Sequence, residues 1–197
     1  MLKILNMLTQ EKITKNAAKY FKTGETYGFM PSELMEFLGV DIVKAPASTH
    51  ENMCNAFEGG LIEHMLTVAK YAMNINDTLP ETMRISKDSL LKVCLLHQIG
   101  KSRMYVPCTS QWHKDNQGKM YDYSSDNLPI KVGELSVSYA LSHGVKLSDD
   151  ELVAIMNFDK SEEDLQAKFH NSLLGDLLKM ANTLAIKEAQ FDRNGQV

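Results

Sequence analysis

Two histidines and a lysine occupy the positions where this sequence is best placed to do chemistry. His64 stands one turn into a segment whose apolar residues, Leu61, Met65, Val68, Ala69 and Ala72, recur at three- and four-residue steps. That spacing predicts an amphipathic helix with the imidazole on or beside its apolar stripe. His97 closes the most apolar run of the chain, Leu90 to Leu96, which predicts a central, buried helix. Gly100 follows and lets the backbone bend. Lys101 comes four residues after His97 and is placed to project from the mouth of the same site. Two imidazoles on packed helices with a lysine beside them make a metal or phosphate pocket. A hydrogen-bonded core histidine is the commoner use of such a position, and spacing alone does not bring His64 and His97 together.

Three stretches carry a resemblance. Gly59-Gly60-Leu61-Ile62-Glu63-His64 resembles the Gly-Gly-Leu-Leu-Glu-His segment of HD-domain phosphohydrolases. Leu95-Leu96-His97-Gln98-Ile99-Gly100-Lys101 resembles their Leu-Leu-His-Asp-Ile-Gly-Lys signature. Leu178 to Ala185, with Ala181-Asn182 at its centre, resembles their last motif, an Ala-Asp pair in a helix. The three occur in the family's order and cover roughly residues 55 to 190. The resemblance implies a helical bundle around a metal that activates water against a phosphoester. By position its ligands would be His64, His97, Gln98 and Asn182.

The departure from the family lies in the last two. Gln98 and Asn182 stand where it has aspartates, and an amide offers a divalent cation a carbonyl dipole but no charge. Positions where related proteins carry histidines for a second metal fall at Glu134 and near Asn157 and Phe158. Glu134 and Asp159 are the carboxylates available to support an atypical shell for Mn, Fe or Zn. Lys101 and Arg103 are the candidate phosphate contacts, and Glu63 or Lys101 the candidates for proton transfer. The expected function is therefore an HD-like protein with a degenerate metal site that binds a nucleotide or other phosphorylated ligand without hydrolysis. The alternative is an active metal-dependent phosphohydrolase. Whether the chain is an enzyme stays open at this level, with the balance towards binding.

The remaining candidates are weaker. His50 and His113 fall in expected loops, His143 at a helix end, and His170 near the start of the last helix. Trp112, Tyr121 and Tyr123 would pack an inserted hairpin onto the helices or, less simply, line a stacking surface. No G-x-S-x-G, P-loop, G-x-G-x-x-G or H-E-x-x-H pattern occurs. No residue positions favour Cys–His nucleophilic catalysis.

The elements that must position these groups read as mainly α. Helices are expected over Leu2–Phe21 (in one or two pieces), Glu33–Leu38, Leu61–Asn74, Ser86–Leu96, Leu135–Ser142, about Asp149–Asn157, and His170–Glu188. Ser148 and Glu151 form a capping box for the sixth of these. Asp41–Phe57 reads as a connecting loop with room for one helical turn, and Gln117-Gly118 as the turn of a β-hairpin inserted within Arg103–Tyr123. Residues 1–50 form an N-terminal helical extension, 51–190 the HD-like bundle, and 191–197 a frayed end.

The 197 residues, 44% hydrophobic and 23% charged, suit one soluble globular domain. A net charge of -4 argues against bulk nucleic-acid binding or an anionic membrane surface. Three cysteines without a C-x-x-C pair argue against a disulfide framework, and no stretch has the length of a membrane span or the form of a signal peptide. A cytoplasmic setting is expected, with a small phosphorylated ligand, a protein partner or a second copy of the chain as partners.

Overall fold

The computed structural model describes residues 8–161 and 172–194, with side chains through residue 191. Among these, eight helices and one two-stranded antiparallel sheet appear, so the fold is all-α with a small β insertion. Helix α1 spans Gln10–Thr26 and α2 spans Ser32–Lys44. They are followed by α3 (Gly60–Thr78), α4 (Lys87–Leu96), α5 (Gln111–Gln117), α6 (Val132–Ser142), α7 (Asp149–Asn157) and α8 (Leu173–Asn194).

The core lies where α3, α4 and α8 meet. Helix α3 packs most extensively on α8 and next on α4. Leu61, Met65, Val68 and Ala72 of α3 share one buried cluster with Leu90, Leu95 and Leu96 of α4 and Leu178 and Ala181 of α8. The apolar run of α4 is buried nearly all round, as its composition requires. Ser86 caps that helix by accepting from the Ser89 amide. The Ser148–Glu151 capping box opens α7. Glu151 also receives the Lys92 ammonium at 2.9 Å and the Ser89 hydroxyl at 2.8 Å, which ties α7 to α4.

The first two helices belong to the same core. Tyr20, Leu34, Leu38 and Ile42 are fully buried, and the Tyr20 hydroxyl donates to the Leu95 carbonyl at 2.9 Å. Helix α1 starts at the Thr9 cap and runs through Gly24 to Thr26, so the turn comes at Tyr27-Gly28. The expected stop at Gly39 is a kink: Gly39 has φ 44°, and helical structure resumes to Lys44, which is the one helical turn the expected Asp41–Phe57 loop had room for.

Strands β1 (Tyr105–Pro107) and β2 (Tyr121–Tyr123) pair in register Tyr105–Tyr123, Val106–Asp122 and Pro107–Tyr121. The expected tight turn at Gln117-Gly118 is corrected. Helix α5 connects the strands, and Gly118, at φ 63°, is its left-handed C-cap. The Gly signal was a helix stop, because Ser110 accepts from the His113 amide and lets a short helix form in between. The last helix runs to Asn194. His170 and the chain end at 195–197 lie outside the described residues, as do the first residues of the expected N-terminal helix.

Candidate functional site

The turn over residues 51–59 and the start of α3 set the site. Gly60 opens α3 with its α-carbon hard against the turn: a Cβ there would stand 2.1 Å from the Asn55 carbonyl oxygen. Only glycine permits that approach, which places His64 one turn into the helix and directly over the turn. At the end of α4 a second glycine has a steric purpose. Gly100 donates its amide to Ser136 Oγ at 2.9 Å, and a Cβ would meet the Val132 carbonyl oxygen at 2.9 Å. Its role is close approach of α6, which fixes the segment carrying His97, Gln98 and Lys101.

These constraints bring the motif residues together. His64 is 2% exposed, His97 0% and Gln98 3%. The two imidazole centroids lie 6.2 Å apart. Asn182, from the middle of α8, sets its Oδ1 2.9 Å from His64 Nε2. Gln98 Nε2 lies 3.3 Å from that same ring nitrogen and 3.4 Å from Asn182 Oδ1. The other ring nitrogen, His64 Nδ1, is 3.1 Å from Cys54 Sγ. His97 Nδ1 is 2.9 Å from the Cys94 carbonyl oxygen, so it carries the proton and donates. That leaves His97 Nε2 as a lone-pair acceptor. Among the described residues, His97 Nε2 and Gln98 Oε1 are buried without a hydrogen-bond partner.

The electrostatics follow from burial. It pushes His64 down to about 4, with the nearby Lys101 charge adding to the effect and the Asn182 hydrogen bond opposing it. It pushes His97 down to about 3, helped by His64 and Lys101 and opposed by the bond to the Cys94 carbonyl and by Asn182. Both rings are neutral near pH 7. Lys101, whose ammonium donates to the Ala47 carbonyl at 2.8 Å, is pushed down to about 8 by burial, against the opposing pull of Cys54 and Asp159.

Most of the other sequence candidates are held by contacts outside this centre, while Phe158 and Asp159 adjoin it. Arg103 donates to Asp41 at 2.7 Å and to the Phe37 carbonyl at 2.6 Å, and its guanidinium lies over the Phe37 ring, so it is held by α2. Glu63 faces α1, where Asn16 donates to it and Lys12 stands 3.8 Å away. Glu134 pairs with Lys160 at 3.3 Å. Asp159 accepts from the Gly133 amide at 3.4 Å. Phe158 stands edge-on to His97 with centroids 4.8 Å apart, an apolar ring near a position where the resemblance implies a second-metal histidine. Trp112 and Tyr123 are exposed. His143 stacks on Phe37 and His50 contacts the Thr49 hydroxyl at 2.8 Å.

The donor set can be tested against the divalent ion that the resemblance implies. Two neutral imidazoles and two amides bring it no negative charge. Both ring nitrogens of His64 are engaged within the protein, Nε2 by Asn182 Oδ1 and Gln98 Nε2 and Nδ1 by the Cys54 thiol. Among the described residues, no group of three or more His, Cys, Asp or Glu side chains is arranged to hold an ion. The set does not fit such an ion.

What sequence reasoning missed is Cys54. It lies ten residues before His64, in a turn without periodicity, and only the folded turn reveals their contact.

Comparison with known proteins supports the phosphodiesterase side of the resemblance. The chain is 28% identical over 140 residues to the dihydroneopterin 2',3'-cyclic phosphate phosphodiesterase of Methanocaldococcus jannaschii, a match covering 68% of this chain and 51% of that enzyme. The chain thus spans about half the length of this curated relative. No family model matches the chain, and no solved structure matches it. No helix among the described residues is long and apolar enough to cross a membrane.

Proposed function

We propose that this chain is a phosphohydrolase-type protein whose buried centre takes a small phosphorylated ligand, of the nucleotide or cyclic-phosphate class, and hydrolyses its phosphoester. The observation that carries the reading is the convergence of His64, His97, Gln98 and Asn182 on one centre, in a chain similar to a phosphodiesterase. The chemistry assigned to it uses no metal. His97 Nε2 and Gln98 Oε1 are two buried acceptors suited to hold a water, with His97 taking its proton as the oxygen attacks phosphorus; the P–O bond to the alcohol then breaks, and the leaving oxygen takes that proton from His97. Lys101, still cationic below about pH 8, balances charge on the phosphoryl oxygens. A base with its pKa pushed to about 3 is weak, so turnover should be slow.

Binding without turnover is the second reading. It is favoured by the amides at Gln98 and Asn182, neither of which can act as a base or carry charge to a metal.

The experiment is an assay of the full chain on 2′,3′-cyclic nucleotides and a simple aryl phosphodiester, with chelator and separately with Mn²⁺, alongside calorimetric titration. Product formation in chelator that is lost in His97→Ala supports metal-free hydrolysis. Turnover only with Mn²⁺ refutes the metal-free chemistry. Binding without product moves the assignment to the second reading, and neither binding nor product refutes both.

A further inference from the structure

We infer that Cys54, His64 and Asn182 form a nucleophilic triad, with Cys54 Sγ placed to attack the carbonyl carbon of an ester or thioester. This goes beyond the phosphoester reading and rests on a different reacting atom.

The connectivity carries the argument. Cys54 Sγ is 3.1 Å from His64 Nδ1, and His64 Nε2 is 2.9 Å from Asn182 Oδ1. Nε2 faces the Asn182 oxygen at 2.9 Å and the Gln98 amide nitrogen at 3.3 Å; the shorter contact favours the proton on Nε2, which leaves Nδ1 as the acceptor facing the thiol. A thiol nucleophile, an imidazole base and an amide that fixes the ring's tautomer and orientation are the three roles of a Cys–His–Asn triad, which is recognised by geometry and not by chain order. Gln98 Nε2, 3.4 Å from Asn182 Oδ1, helps hold the amide oxygen towards the ring.

The backbone adds an independent observation. Asn55, directly after the cysteine, has φ 46°, a conformation that no other non-glycine residue among the described ones adopts. It is pinned on both sides. The Ala47 amide donates to the Asn55 carbonyl at 3.0 Å, and that oxygen abuts Gly60. Ser48 Oγ donates to the Cys54 carbonyl at 2.6 Å. Asparagine tolerates this left-handed conformation, and the contacts on both sides fix the turn that carries Cys54. Lys101 interacts electrostatically with Cys54. His97 Nε2, fully buried and without a partner, belongs to a ring 6.2 Å from that of His64. All three cysteines are buried, but the other two are placed differently: Cys94 lies within α4, and Cys108 Sγ contacts the Ser110 carbonyl near Lys119.

The step balances without a further reagent except water. The thiol proton passes to His64 Nδ1 as the sulfur electron pair forms the C–S bond. The C–O or C–S bond to the leaving group then breaks, and that group departs with the proton from Nδ1. Water attacks the acyl-cysteine carbonyl, giving its proton to His64, and the thiol is restored as the carboxylic acid leaves.

The test exposes the folded full chain to p-nitrophenyl acetate and maps the acetyl group by peptide mass spectrometry. Acetylation of Cys54 at least about tenfold faster than of Cys108 is expected, with His64→Ala slowing it by about a hundredfold or more. Asn182 is a positioning residue. Asn182→Leu, which removes the acceptor at similar volume, should slow acylation by about tenfold, while Asn182→Asp, which keeps an acceptor oxygen, should restore most of it. Asn182 is partly exposed, so these variants read the role even if His64→Ala fails to fold. Equal labelling of Cys54 and Cys108, no adduct on Cys54 in the folded protein, or equal rates in Asn182→Leu and wild type would each overturn the triad. Acylation without phosphoester turnover, or the reverse, separates this inference from the function proposed above.

Discussion

Acidification from pH 7 to pH 5 should destabilise this protein through two side chains. His64 and His97 are buried and neutral, with pKa values pushed to about 4 and about 3. In the unfolded chain each returns to about 6.5. Between those limits the unfolded state binds more protons, so stability is lost as pH falls below the unfolded value. At pH 5 the unfolded chain gains about 2 kcal/mol per histidine, so the two together remove about 4 kcal/mol. Set against a total of about 5–15 kcal/mol for a domain, that is a large share. Urea denaturation at the two pH values measures it. His97→Gln, which keeps a polar side chain of similar reach, should reduce the pH 7 to pH 5 difference by about half, whatever it does to stability at pH 7. Equal stability at the two pH values, or the same difference in wild type and variant, would refute the assignment of buried neutral rings.

Three further outcomes are expected. Gln98→Asp/Asn182→Asp should gain a divalent site absent from the wild type, with Mn²⁺ at a hundredfold excess over its Kd adding about 2.7 kcal/mol. Thermal melts would show that as a rise of roughly 5–10 °C, and a similar rise in the wild type would count against the donor argument. Gly60→Ala puts a methyl 2.1 Å from the Asn55 carbonyl oxygen, and denaturant titration should register a loss of about 1–3 kcal/mol together with slower labelling of Cys54. Affinity for inorganic phosphate or a cyclic nucleotide should weaken by roughly tenfold as pH rises through about 8 and Lys101 gives up its proton, an effect absent in Lys101→Met. The sign for stability is opposite, because the unfolded lysine keeps its proton to about 10.4, so stability gains about 1 kcal/mol between pH 7 and pH 9.

The helical plan was legible because it rests on periodic burial and local caps. The α4 run, the Ser148–Glu151 box and the α3 stripe each state their structure in a few consecutive residues. The β insertion was half legible. Alternation marked the strands, but one glycine served equally well as hairpin turn or helix stop, and only the intervening helix distinguishes them. In the site, the resemblance pointed to His64, His97, Gln98 and Asn182, which do converge. It could not indicate that the amides would bond the imidazole, nor that Arg103 would be drawn to Asp41. Cys54 was illegible because its meaning depends on a turn whose shape is set by a left-handed Asn55 and a glycine contact, neither of which leaves a periodic trace.

The hydrogen bond between His64 and Asn182 joins residues 118 positions apart, one in the first turns of α3 and the other in the middle of α8. Long-range closures of this kind form late, after local helices, because chain entropy opposes them until other contacts are in place. Of the contacts to the His64 ring, the Cys54 thiol and the Gln98 amide nitrogen come from segments near α3 and α4, and the Asn182 oxygen alone comes from α8. The order in which reactivity appears during refolding is therefore a clock for the last helix. A thiol pulse given at successive times would date its docking, with Cys94 inside α4 as the internal standard for earlier collapse.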